Sequence, residues 1–206
     1  MDFKGYYFDT IRLRNELMAR LGTYLSMPSK LDELGAKTSA MMKSTMPDVK
    51  TNALTLDKRV KDLRAIVEAR IKSTTQLSNN ILALKDTIEG DPSLAKLLTG
   101  STGLTTFAID ALLGGKLADY KPYLDKVIAY SKEGVATLKE LEAVSTAMKT
   151  LTANVEGTYA ASQGRGGVPV LGPDGAPVGN KELPIAAIAA GGAVMLAAAY
   201  LLGRRK

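Results

Sequence analysis

From Leu56 to Ile88 the positions Leu56, Val60, Leu63, Val67, Arg70, Thr74, Leu77, Ile81, Leu84 and Ile88 recur alternately three and four residues apart, and eight of the ten are apolar. This is the seam of a long helix packed along one line. It predicts a helix of about 36 residues, roughly 54 Å at 1.5 Å per residue. Arg70 and Thr74 interrupt the seam at its middle. Either they fix register or face a polar partner, as single polar seam residues can, or Ile66 and Ile71 carry the stripe sideways. Lys58 with Asp62 and Glu68 with Lys72 supply i,i+4 pairs on the outer face.

The flanking segments also read as helices. Phe8, Ile11, Leu17, Met18, Leu21, Tyr24 and Leu25 predict an amphipathic helix from about Asp9 to Ser26, ended by Met27-Pro28. Ser29 to Asp32 resembles a capping box, opening a second helix that carries Leu31, Leu34, Met41, Met42 and Met46 up to Pro47. The two are short enough to pack as a hairpin. Gly90-Asp91-Pro92 stops the long helix. Two short helices are expected next, and Pro122 opens a second long helix through Leu124, Ile128, Val135, Leu138, Leu141, Val144, Met148, Leu151 and Val155, fading near Ala161. Its three-four rhythm slips between Leu138 and Val144. The fold class expected is all-α: an elongated helical bundle with two long antiparallel helices. The alternative is that the Leu56 to Ile88 seam pairs between chains.

Composition excludes more than it names. The chain has no Cys and no His. The common zinc and copper ligand sets, the Ser-His-Asp and Cys-His nucleophile arrangements and the commonest general base are therefore missing. The carboxylates are scattered and show no EF-hand spacing. No catalytic, cofactor-binding or metal residue is proposed, and the chain is read as not an enzyme. The formal charge of +6 divides evenly: Arg165, Lys181, Arg204, Arg205 and Lys206 against Asp174 and Glu182 leave +3 beyond Gln163, and the other +3 is spread over 163 residues with both signs interleaved. Without a basic stripe or an aromatic platform, a nucleic-acid partner is not expected. Gly100 to Thr106 has the glycines and hydroxyls that can cradle a phosphate. It lacks the P-loop lysine and a preceding strand, and reads as a helix boundary.

The other strong signal lies late in the chain. Residues 1–163 are expected to form the helical domain, and 164–182, rich in Gly and Pro, a flexible linker holding it roughly 25 Å from the apolar run beyond, by the square-root rule for coils. Gly172-Pro173-Asp174-Gly175 within it is a turn signal compatible with a small hairpin. Leu183 to Leu202 is an uncharged run of twenty residues, long enough as a helix for one crossing of a hydrocarbon core of about 30 Å. Residues 183–203 are therefore read as a transmembrane helix and 204–206 as a basic tail. The anchor residues are Leu183, Pro184, Ile185, Ile188, Val194, Met195, Leu196, Tyr200, Leu201 and Leu202, with Arg204, Arg205 and Lys206 reaching the headgroups. Ala187 with Gly191, Ala189 with Ala193, and Ala193 with Ala197 are small residues four apart, a spacing that lets membrane helices approach and self-associate.

Leu183-Pro184, the apolar run and Arg204-Arg205-Lys206 together resemble a sortase-type cell-wall sorting signal over the last 24 residues. Ile185-Ala186-Ala187 stands where that motif has any residue, Thr and Gly, and the N-terminus has no export signal. Cleavage and wall attachment are therefore not carried over.

The function expected is a single-pass, tail-anchored scaffold or docking element linking a lipid bilayer to a protein layer, in a cell envelope, an organelle or a membrane-containing virion. Its partners are the bilayer, proteins bound through the bundle, and further copies of the chain. The basic end favours a cytoplasmic C-terminus, whereas an anchor without a signal favours a helical domain on the cytoplasmic or virion-interior side; the second is preferred because a four-residue tail is easy to translocate. The alternative function is membrane remodelling or penetration through the amphipathic helices and the apolar 94–117 connector. Leu94, Leu97, Leu98, Leu104, Phe107, Leu112 and Leu113 would then touch a membrane or partner, unless the connector folds back to close the bundle.

Overall fold

The computed structural model describes residues 3–99, 105–169 and 171–172. Six helices occupy them: α1 (Phe3–Tyr24), α2 (Met27–Met41), α3 (Pro47–Gly90), α4 (Pro92–Thr99), α5 (Thr106–Leu112) and α6 (Leu117–Ser162). The protein is all-α, with no strand among the described residues. Its contacts divide into two units, each drawing a segment from both long helices. Unit 1 comprises the chain up to Thr23 and Ile71–Lys139, and unit 2 comprises Tyr24–Arg70 and the chain from Glu140.

In α3, nine of the ten seam positions are buried and Arg70 is nearly so. The helix is longer than the seam predicts, 44 residues, because Pro47 sits at its first turn, where a missing N–H costs little. Val49 and Ala53 extend the buried line below Leu56, both fully covered. Pro47 thus opens α3 rather than closing α2. Helix α2 ends at Met41, and Met46 is exposed in the turn between them. The expected box at Ser29 does not form: the N-cap position is Ser26, with no side-chain cap bond, and Pro28 lies in the first turn.

Unit 1 is built around Phe3, Tyr7, Leu84, Ile88, Leu94, Leu97, Ile109, Leu113, Leu124 and Val127. Along α1 the buried line is Phe3, Tyr7, Thr10, Leu13 and Leu17, rotated from the expected stripe so that Phe8 and Met18 face outward. Thr10 makes the rotation workable. Its hydroxyl donates within hydrogen-bond distance of the Tyr6 and Val127 carbonyls, at 2.7 and 3.1 Å, so a polar side chain can occupy a core position. Contacts pair Tyr7 with Glu89 and Arg14 with the Ser78 carbonyl, so α1 runs antiparallel to α3 here. Gly134 of α6 admits close approach: a Cβ there would stand 3.4 Å from Leu13 Cβ.

Unit 2 buries Met27, Leu31, Leu34, Thr38 and Met41 of α2 with Val49 to Val67 of α3 and Leu141 to Ala161 of α6. Asp32 pairs with Arg64, and Thr38 donates to Asp57 at 3.2 Å, so α2 also runs antiparallel to its own stretch of α3. Within unit 1, α1 meets α3 at Ser78 and Glu89, and within unit 2, α2 meets α3 at Asp57 and Arg64. Lys37 pairs with Glu156, and the Tyr24 hydroxyl donates to the Leu141 carbonyl.

Helix α6 begins at Leu117, five residues before the expected start, and Pro122 lies inside its second turn. The earlier start has a local cause. Gly114 and Gly115 adopt φ of +66° and +77°, and their N–H groups bond the Ala111 and Asp110 carbonyls, the Schellman closure of α5. The Asp110 carboxylate then accepts from the Leu117 N–H at 3.0 Å, capping α6.

Candidate functional site

The connector between the long helices combines core and surface in few residues. Asp91 caps α4 by accepting from the Ser93 and Leu94 N–H groups at 2.7 and 3.2 Å. That fixes the turn through which Leu94 and Leu97 enter the core of unit 1. Thr105 caps α5 through the Ala108 N–H at 3.2 Å, in keeping with a helix boundary here. Ile109 and Leu113 are buried on the inner side, while Phe107 is 84 % exposed and Leu112 39 % exposed.

Of the seven residues expected at a membrane or partner contact, Leu94, Leu97 and Leu113 are therefore core, Leu98 is half-buried against them, and Phe107 and Leu112 face outward. Leu104 lies outside the described residues. So do the anchor residues Leu183 to Lys206 and the small-residue ladder from Ala187 to Ala197. Among the described residues no helix is long and apolar enough to cross a membrane.

Electrostatics near the core of unit 1 are local and structural. The Tyr7 hydroxyl donates to Glu89 at 2.7 Å, and Lys85 donates to the other Glu89 oxygen at 2.6 Å. These two bonds, Lys85 first, hold the Glu89 carboxyl below its ordinary range. Burial, then Glu89 itself, pushes Tyr7 upward. The phenol therefore stays protonated and ties α1 to α3.

Unit 2 carries a groove of about 400 Å³ between α2 and α3, floored by Leu31, Gly35 and Val60 and edged by Asp32, Asp57, Lys61 and Arg64. Its charges engage one another: Lys61 with Asp57 at 2.7 Å, and Arg64 with Asp32 and Glu68. No group of three acidic residues that could hold a metal occurs among the described residues.

At the seam interruption, Arg70 pairs with Glu140 at 2.7 Å, the side chains 14 % and 19 % exposed. Thr74 is fully buried, while Ile66 and Ile71 are half-buried. The polar-partner reading is realised at Arg70, whereas the buried Thr74 hydroxyl has no hydrogen-bond partner among the described residues. Glu140 falls within the slip of the α6 rhythm between Leu138 and Val144. Burial pushes its carboxyl above the ordinary range, against the pull of Arg70.

A contact with no sequence signal joins Asn52 of α3 to the Pro169 carbonyl at 2.8 Å. No family model, curated protein or solved structure matches this chain.

Proposed function

We propose that the chain is a single-pass membrane protein acting as a scaffold or docking element between a membrane and a protein layer, in a cell envelope, an organelle or a membrane-containing virion. The observation that carries this reading is the uncharged run Leu183 to Leu202 followed by Arg204, Arg205 and Lys206. Twenty such residues match one bilayer crossing, and the basic residues suit its edge. In this reading the helical part is an elongated bundle with its long helices antiparallel, lying on the cytoplasmic or virion-interior side. Its outer helix faces bind protein, and the Ala187 to Ala197 ladder brings copies together. No catalytic role is assigned.

The exposure of Phe107 favours a second reading, in which α5 enters a lipid surface and remodels it. An aromatic side chain at the tip of a short amphipathic element can insert at the headgroup boundary. Dye release from anionic vesicles separates the two. A scaffold binds through residues 183–202 without leakage. Leakage that Phe107→Ser abolishes would establish remodelling and overturn the scaffold.

A further inference from the structure

Helix α6 ends in a second Schellman closure. Gly164 has φ of +73°, its N–H bonds the Ala161 carbonyl at 3.0 Å, and the Arg165 N–H bonds the Ala160 carbonyl at 2.9 Å. Gly166 comes next with φ of +90°, a second left-handed step that L side chains resist. The chain then doubles back. Pro169 is twelve residues beyond Gly157, yet its ring Cγ lies 3.2 Å from where a Gly157 Cβ would stand. Because α6 continues for about 7.5 Å past Gly157, the segment after Gly164 must return over that distance along unit 2. There the Asn52 side-chain amide donates to the Pro169 carbonyl at 2.8 Å, and Val168 and Pro169 are half-buried.

We propose that Asn52 and Gly157 form a clasp that binds the Val168-Pro169 segment of the same chain. Glycine supplies the flat wall the pyrrolidine ring needs, and asparagine supplies a short, uncharged donor of fixed reach. The clasp moves the point at which the chain leaves the helical domain. With it closed, thirteen residues, Val170 to Glu182, separate the docked segment from Leu183; with it open, the nineteen from Gly164 to Glu182 do. Opening therefore lengthens the connection to the apolar run. That consequence rests on the proposed membrane anchor, whereas the clasp itself does not.

Limited trypsin digestion of the full chain in detergent tests the clasp at the Arg165–Gly166 bond. This bond lies between the helix cap and the docked proline, so cleavage requires local opening and tracks the open population. Asn52→Ala, and Asn52→Asp, which keeps the shape but removes the donor, should cleave there about five- to tenfold faster than the parent, the worth of one hydrogen bond. Gly157→Ala, which crowds the ring, should do the same by a different route. Helicity checks that each variant is folded. Rates within twofold of the parent in all folded variants would overturn the proposal. Failure of the full chain to float with vesicles while Arg165 stays protected would sink the membrane reading and leave the clasp standing.

Discussion

Arg70 and Glu140 form an ion pair at 2.7 Å where Arg70 and Thr74 interrupt the apolar seam of α3, each side chain of the pair less than a fifth exposed. A pair this covered is costly to desolvate and more costly to break from one side. Arg70→Leu should destabilise the fold by about 2–3 kcal/mol, below the full buried-pair figure because some solvent reaches both groups. Arg70→Leu with Glu140→Leu should recover to within about 1 kcal/mol of the parent or exceed it. Urea midpoints at pH 7 provide the comparison. Equal losses in the single and double variants would show that the pair has no special coupling.

Two carboxylates give opposite slopes of stability with pH. Glu89 titrates below its ordinary value of 4.5 in the folded state. Its contribution is complete above pH 4.5 and is lost as pH falls through its depressed value. Glu140 titrates above 4.5, so the folded state holds its proton more tightly, and its contribution is lost as pH rises from 4.5 through the raised value. Glu89→Gln should flatten the acid limb alone and Glu140→Gln the limb above pH 4.5 alone, read from unfolding midpoints across pH 2.5 to 7. A Glu140→Gln profile parallel to the parent would refute the assignment.

Gly134 faces Leu13 with room for one methyl group and little more. Alanine there meets ordinary van der Waals contact and gains helix propensity, so Gly134→Ala should change stability by less than about 1 kcal/mol. Gly134→Leu overfills the contact and should cost about 1–3 kcal/mol. Thermal melts monitored by circular dichroism distinguish them, and a leucine variant as stable as the parent would contradict the close approach of α1 and α6.

The connector divides into load and surface. Leu94→Ala removes a fully buried side chain and should cost about 2–5 kcal/mol. Phe107→Ser removes an 84 % exposed one and should stay within about 0.5 kcal/mol of the parent. A large loss from Phe107→Ser in the denaturant midpoint would mean that the ring is covered in solution.

Helix α3 was legible because one three-four rhythm runs through ten positions, eight of them apolar, with Arg70 and Thr74 as visible breaks. Helix α1 was legible as a helix but not by face: Thr10 satisfies its hydroxyl on backbone carbonyls and takes a core place, leaving Phe8 exposed. On α6 the same substitution of polar for apolar recurs, since Thr137, Asn154 and Thr158 are buried while Val135 is 44 % exposed. Hydrophobicity alone cannot assign such positions. The Glu140 partner of Arg70 had only an indirect sign, the slip in the α6 rhythm. The contact of Asn52 with Pro169 had none, because 117 residues separate them and neither lies in a periodic pattern. The Gly-rich start of the 164–182 stretch reads as a linker in the sequence. Its first glycines instead close α6 and turn the chain back.

Above all, the proposed function requires residues 183–202 to hold the protein in a bilayer. Flotation with vesicles after alkaline carbonate extraction, on the full chain and on a variant carrying Val194→Glu and Leu196→Glu, measures this directly. Two carboxylates near the middle of the run should each add about 2.5–3.5 kcal/mol to the cost of insertion. A bilayer anchor predicts that the full chain floats and the double variant stays in the dense fraction with its helicity unchanged. A full chain that remains with the soluble fraction, or a double variant that floats equally well, would contradict it.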